Sequence, residues 1–160
     1  SREVQAEGWT FNKEYNYKFT PDTNNEILIP NNVLHLDASE VSANMELDTV
    51  IRTGKLYDRF NHTFQFTNGP VECDVMWLFD WVDIPKPIQA FITARASAIV
   101  SSRIVGDNTQ YQILQQNEAY TRALAMEYDT TQADLSFFGK PDGTAKSSYI
   151  SFQPFKALYR

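Results

Sequence analysis

The hydrophobic period of the sequence changes at Pro85-Lys86-Pro87, and this change limits what the chain can fold into. Before the prolines, apolar and polar residues alternate in short runs, which is typical of strands with one buried face. After them, apolar residues recur every three or four positions, which is typical of helices. We therefore predict an α+β protein: an antiparallel helical bundle with a small antiparallel β-sheet or sandwich module and an extended C-terminal tail.

The same pattern divides the chain into four segments. Residues 1–8 are expected to be the end of an N-terminal helix that stops at a glycine, preceded by a further helical segment. Residues 9–82 are expected to form the antiparallel β module, and residues 83–134 the two-helix part of the bundle. Residues 135–160, in which glycine, proline and serine are frequent, are expected to form the extended C-terminal tail.

The β module is expected to contain about six short strands. In the first, residues 9–19, five aromatic residues fall on one parity, which predicts one buried face. A hairpin is expected to turn at Thr53-Gly54, and residues 39–48 are expected to form a loop. The other expected strands are residues 26–30, 33–38, 62–67 and 71–81.

Two antiparallel helices are expected after Pro87. Gly106 is expected to end the first, and Asp107 or Asn108 to N-cap the second, which runs from about residue 109 to 134. The first helix has an apolar stripe at Ile88, Phe91, Ile92, Arg95, Ala96, Ile99, Arg103 and Ile104. The stripe of the second is Ile113, Asn117, Tyr120, Leu124 and Tyr128.

Charge and composition restrict the partners of the chain. Its 160 residues carry a formal net charge of −6, which argues against a grip on DNA through phosphate neutralisation. No apolar run approaches the ~20 residues that a membrane span requires, so we expect no membrane partner. One cysteine, Cys73, excludes an internal disulfide framework and is expected to be a small buried hydrophobe.

Residues with catalytic or metal-binding chemistry do not cluster in the sequence. His35 and His62 lie in different strand segments and are expected to be ordinary sheet residues. The six glycines are scattered singly, so none makes a phosphate-cradling loop, and there is no GxSxG motif. We therefore expect no catalytic residue, no cofactor and no metal.

One set of carboxylates leaves an enzymatic alternative open. Asp74, Asp80 and Asp83 lie near Trp77 and Trp81, and acids beside tryptophans are typical of sugar-binding clefts. In a strand, Asp74 and Asp80 would lie ~20 Å apart, at ~3.3 Å per residue, which is too far for a glycosidase pair. We expect these acids to lie on a solvated face and the tryptophans in the core. A glycan-binding or glycan-hydrolysing tail component remains the alternative function.

Two arginines and four tail aromatics are the expected assembly contacts. Arg95 and Arg103 are flanked by alanine, serine and isoleucine rather than by basic residues, which favours helix packing over DNA reading or catalysis. The C-terminal tail carries aromatic residues that are expected to dock on its own domain or on a partner. The tail aromatics assigned to assembly are Tyr149, Phe152, Phe155 and Tyr159.

An ordered series of short motifs resembles the tail tubular protein A family of T7-like podoviruses. The motifs are EGWTFN at residues 7–12, IPNNVL at 29–34, KLYD at 55–58, ARA at 94–96 and VGD at 105–107. They run collinearly from about residue 2 to 134. Two features limit the resemblance: the family's N-terminal helical segment is expected to precede residue 1, and residues 135–160 match no motif of the family.

The resemblance implies a structural protein of the virion tail rather than an enzyme. It implies a homo-oligomeric adaptor ring, twelvefold in the family pattern, between the portal protein and the nozzle formed by tail tubular protein B. A tail fibre or tailspike is a further implied partner. Genomic DNA would pass through the ring channel during ejection without sequence-specific binding, and assembly would take place in the host bacterial cytoplasm.

Overall fold

The computed structural model describes residues 1–39, 47–105 and 107–133. The chain divides into two units, Ser1–Ile84 and Pro85–Arg160. Helices and small antiparallel sheets together confirm the predicted α+β class. Gly106 and the four tail aromatics named above lie outside the described residues. In the described part of the chain, no helix combines the length and apolar character that a membrane span requires.

The first unit begins with a short helix that ends before a glycine, as predicted. Helix α1 spans Arg2–Gln5, and Gly8 follows with a φ of +79°, in the left-handed region that favours glycine. A single 3-10 turn, Thr10–Asn12, then leads into the first strand. The expectation of a strand from residue 9 is therefore wrong at its start.

Within residues 1–39 and 47–84, the first unit has five strands, which form two antiparallel sheets. They are β1 (Lys13–Phe19), β2 (Val33–Ala38), β3 (Thr49–Arg52), β4 (Lys55–Asp58) and β5 (Val71–Trp77). One sheet has the order β1-β5-β2 and the other pairs β3 with β4. The central strand β5 alternates between buried and half-buried residues, because one of its faces covers the core.

A bulge in β1 makes the predicted buried face of this strand only partly correct. The register with β5 shifts between Glu14 and Tyr17, and Asn16 adopts a φ of +56°. Asn16 donates its backbone N–H to Asp74 Oδ1 at 3.0 Å. The extra residue changes which face the following side chains occupy, so Tyr17 and Phe19 lie opposite the buried Cys73 and Val71 of β5. Phe19 is buried as its parity predicted, whereas Tyr15 and, in part, Tyr17 are exposed.

The predicted hairpin is confirmed. Strands β3 and β4 pair in register from Thr49 opposite Asp58 to Arg52 opposite Lys55. Thr53 and Gly54 connect them with φ values of 50° and 73°. Two successive positive φ angles are the mark of a type I′ turn, whose twist matches that of the flanking strands.

Two other expected strands are wrong, and a third is shorter than expected. Residues 26–30 and 62–67 form only isolated bridges, Leu28 with Lys55 and Thr63 with Asp58. His62 lies in a turn with a φ of +53°, so it is not a sheet residue as expected. Local side-chain hydrogen bonds compete with strand pairing here, since Asp58 Oδ1 accepts the backbone N–H of Phe60 at 2.8 Å. The strand expected at 71–81 ends at residue 77.

The core of the first unit lies between one face of β5 and the segments that pack against that face. Cys73 is fully buried there, as predicted. Burial raises the pKa of its thiol to about 12. The buried cluster contains Phe19, Ile27, Ile29, Val33, Leu36, Leu56, Phe66, Val71, Cys73, Val75 and Trp77.

The part of the second unit that precedes residue 134 has two described helices, which begin where the sequence predicts. Helix α2 spans Lys86–Val100 with a proline in its first turn, and a π-helical turn, Ser101–Val105, extends it. Helix α3 spans Asn108–Gln132, and the Asp107 side chain accepts the N–H groups of Thr109 and Gln110, which confirms the predicted N-cap. In the described residues these two helices form a helical pair, so the predicted larger bundle stays a prediction.

The predicted apolar stripes of both helices are partly wrong. Beyond Ile92, helix α2 buries Ala94 and Ala98, whereas the predicted Ala96, Ile99 and Ile104 are exposed. Helix α3 buries Ala125, whereas the predicted Ile113, Tyr120 and Leu124 are exposed. Six of its less exposed side chains form a seam, and they are Tyr111, Leu114, Glu118, Thr121, Ala125 and Tyr128. This seam follows a regular spacing of three and four, and alanine and threonine on it allow the close approach of α2.

Candidate assembly surface

The two predicted arginines differ in their surroundings. Arg95 is half-buried on α2, next to the buried Ala94. Arg103 is exposed and lies in the π-helical turn after α2. They therefore do not form one buried charged site, although both lie on the same helical arm. Within the helical pair, Arg122 packs on an aromatic ring, and its guanidinium carbon lies 5.7 Å from the ring centre of Phe91.

Large apolar side chains are exposed where α2 ends and α3 begins. We define the hairpin-tip patch as Ile99, Val100, Ile104 and Ile113. Ile104 is 78% exposed and Ile113 is 62% exposed. Single exposed apolar residues are common on protein surfaces, but four within one helical connection are a feature of contact surfaces. The sequence pattern placed Ile99, Ile104 and Ile113 in buried stripes and made no prediction for Val100.

A groove runs along the other end of the helical pair. We define the hairpin groove by its lining residues, which are Pro87, Ala90, Thr121, Leu124, Glu127, Tyr128 and Thr131. It encloses about 410 Å³ and its walls are mostly apolar. Because the groove joins the start of α2 to the end of α3, the two helices run antiparallel, as expected from their short connection.

The acids and tryptophans of the enzymatic alternative do not form one cleft. Trp77 is buried in the core and donates its indole N–H to Glu14 Oε2 at 3.0 Å. Trp81 is half-exposed on a separate 3-10 turn, Trp81–Asp83. Asp80 and Asp83 are exposed, as expected for acids on a solvated face. The expectation that both tryptophans lie in the core is wrong for Trp81.

Strand pairing creates one acidic pair that sequence reasoning missed. Asp37 of β2 lies directly opposite Asp74 of β5. Each carboxylate already accepts a backbone N–H, from Ala38 and from Asn16 respectively. In residues 1–39, 47–105 and 107–133, no three His, Cys, Asp or Glu side chains are placed to hold a metal ion. Only the strand register reveals this pair, so no local sequence signal could have found it.

A buried polar cluster joins the N-terminal segment to the end of β5. Gln5 donates its side-chain amide N–H to the Phe79 carbonyl at 3.0 Å and accepts the Phe79 N–H at 2.8 Å. Asn12 accepts the Trp9 N–H at 2.9 Å and donates to the carbonyls of Gln5 and Trp77 at 2.9 and 3.0 Å. Asn12 and Trp9 belong to the EGWTFN motif, so this motif has a structural role.

Comparison with known proteins relates the chain to a protein family. A family model described as tail tubular protein (Tube) matches residues 1–135. No curated protein matches the chain. The match covers all of the first unit and both helices of the second, and it leaves residues 136–160 outside.

Proposed function

The chain belongs to the tail tubular protein family and is a structural component of a phage tail, and from this premise we propose that it is the adaptor subunit between the portal and the nozzle. The match over residues 1–135 is the observation that carries the proposal. The family is structural, which fits a chain that is not an enzyme. In this role the protein forms a closed ring of twelve copies around the DNA exit channel.

The helical pair supplies one surface for contacts between neighbouring subunits. A closed ring needs two different surfaces on each copy, because each subunit meets its neighbours head to tail. The hairpin-tip patch is one such surface, since its isoleucines would leave water when covered by a neighbour. Arg95 and Arg103, on the same arm, are proposed to add polar contacts at the edge of this surface.

The charge of the chain suits a channel through which DNA passes. Twelve copies at −6 each would carry roughly 72 negative charges, and like charge repels the phosphates. Salt confines this repulsion to about 8–10 Å from the surface. DNA would therefore slide through the ring without binding to its wall.

The ring is tested by measuring the mass of the assembled protein and imaging it, alone and with the portal. A closed ring on the portal is expected. Ile104→Asp is expected to abolish the ring, because it places a charge in the hairpin-tip patch. Val82→Asp is the matched control, since Val82 is also strongly exposed but lies outside the helical pair. A chain that stays monomeric with the portal contradicts the adaptor role and leaves only the family assignment.

A further inference from the structure

The hairpin groove leaves apolar side chains open to solvent beside an acidic one. Leu124 and Tyr128 line it, and Leu124 is 42% exposed. Glu127 is the acidic residue among the side chains that line the groove. A segment that fits here must therefore bring apolar or aromatic side chains together with positive charge.

We propose that residues 147–160 of the same chain bind in the hairpin groove. This segment carries Tyr149, Phe152, Phe155 and Tyr159, which offer large apolar surfaces with few rotatable bonds. It also ends with Lys156 and Arg160. Aromatic rings would cover the apolar walls, and the basic side chains would face the acidic side.

The distribution of charge along the chain also favours binding of the C-terminal segment to the rest of the chain. Residues 135–160 hold four basic residues and one acidic residue, a net charge of +3. Residues 1–134 hold the other ten basic and nineteen acidic residues, a net charge of −9. The basic segment is therefore attracted to the rest of its own chain, and the Glu127 carboxylate at the groove gives that attraction a specific place.

The attachment point of the segment favours its own groove over that of a second copy. Helix α3 ends at Gln132, one residue after the groove residue Thr131. The intervening stretch can span up to roughly 45 Å at ~3.3 Å per residue, so the groove is within reach. A tether of this kind gives an effective concentration on the order of millimolar, well above that of other copies in dilute solution.

Cysteine cross-linking in the full-length chain tests this contact. Thr131→Cys combined with Ser151→Cys is expected to form an intramolecular disulfide, because residue 151 adjoins Phe152 in the proposed contact. Ala119→Cys with Ser151→Cys is the control, since position 119 is exposed on the side of α3 away from the groove. The native Cys73 is fully buried and does not compete. Equal cross-linking in both pairs, or disulfide-linked dimers only, would overturn the proposal.

Limited proteolysis provides a second readout without introduced cysteines. Leu124→Glu is expected to speed tryptic cleavage after Lys146 and Lys156 about threefold or more, because cleavage follows the population of the released segment. Met126→Glu is the matched control, since Met126 is 54% exposed on the same helix and does not line the groove. Equal cleavage rates in the two variants would contradict the proposal. Both tests use the isolated subunit, so their outcome does not depend on ring formation.

Discussion

At the scale of single residues, Gly8 is the position where both backbone conformation and packing favour glycine. Its φ is +79°, and a β-carbon there would lie 2.6 Å from Lys13 Cε and from Met76 Cε. We predict that Gly8→Ala lowers the free energy of unfolding by about 2 kcal/mol, from the left-handed conformation and the displaced side chains. Urea denaturation followed by circular dichroism measures this change.

Gly54 offers a control for the packing part of that effect. Its φ is +73°, but nothing lies within 4 Å of an added β-carbon. Gly54→Ala should therefore cost only the conformational part, about 1 kcal/mol. If Gly8→Ala proves no more destabilising than Gly54→Ala, the contact with Lys13 and Met76 contributes nothing.

Cys73 is predicted to be unreactive and to make stability fall at alkaline pH. Burial raises the pKa of its thiol from 9.0 to about 12, with smaller contributions from Asp74 and Asp37. A raised native pKa stabilises the fold fully below about pH 9, and this contribution is lost as pH rises from about 9 to 12. Maleimide should label native Cys73 about a hundredfold more slowly than the unfolded chain at pH 8.

The variant Cys73→Ala separates this effect from other alkaline titrations. Lysines and tyrosines titrate in the same range in both proteins. The variant should therefore lose less stability than the native chain between pH 8 and pH 10, measured by urea denaturation. Equal losses would show that the thiol makes no contribution to this dependence.

At the scale of elements, the β3–β4 hairpin contains a turn residue that can be improved. Thr53 is β-branched and holds a φ of 50°, a conformation that asparagine adopts more readily. Thr53→Asn gives the Asn-Gly pair that type I′ turns prefer, and we predict a gain of about 1 kcal/mol in unfolding free energy. This corresponds to a rise of about 2–4 °C in Tm, which calorimetry can detect.

Thr53→Ala tests the origin of the expected gain. Both variants lose the hydrogen bond that Thr53 Oγ1 donates to the Arg52 carbonyl at 2.7 Å. Alanine also removes the β-branch, yet it has no special preference for positive φ. A larger gain for asparagine than for alanine supports the turn argument. A fall in Tm for both variants would mean that the lost hydrogen bond outweighs it.

Elements with strong local signals could be predicted from the sequence. Alternation fixed β2 at residues 33–38, Thr53-Gly54 marked the hairpin, and Asp107 marked the start of α3. These signals depend on neighbouring residues only. The bulge at Asn16 depends on pairing with β5, and no pattern within β1 indicates it. The exposure of Tyr15 was therefore not predicted, whereas the burial of Phe19 was.

The helical seam could not be predicted for a similar reason. Apolar size favours Ile113, Tyr120 and Leu124 as the inner face of α3, but the face that meets α2 is centred on Ala125. Close approach of two helices selects small residues, and that choice depends on the partner helix. Of the candidate site, the sequence therefore indicated the helical arm and its two arginines. The hairpin-tip patch and the hairpin groove required the packing of both helices.

At the scale of the whole molecule, residues 147–160 bear on assembly. We predict that deleting them leaves the sheets and the helical pair folded but prevents the formation of complete portal–adaptor complexes. The deletion removes four aromatic residues and two basic ones, and it lies outside residues 1–135, which match the family. The deletion removes no residue of the sheets or of the helical pair. The far-UV circular dichroism signal per mole of protein should therefore change little.

Electron microscopy of the truncated protein mixed with portal measures the second part of this prediction. A full-length variant with Tyr149, Phe152, Phe155 and Tyr159 all replaced by serine is the matched control, because it keeps the length and charge of the segment. Loss of complexes in both proteins assigns the contact to the aromatic rings. Loss in the truncated protein alone assigns it to charge or length. Complete portal–adaptor rings from the truncated protein would exclude these residues from assembly and leave the helical pair to supply the contact.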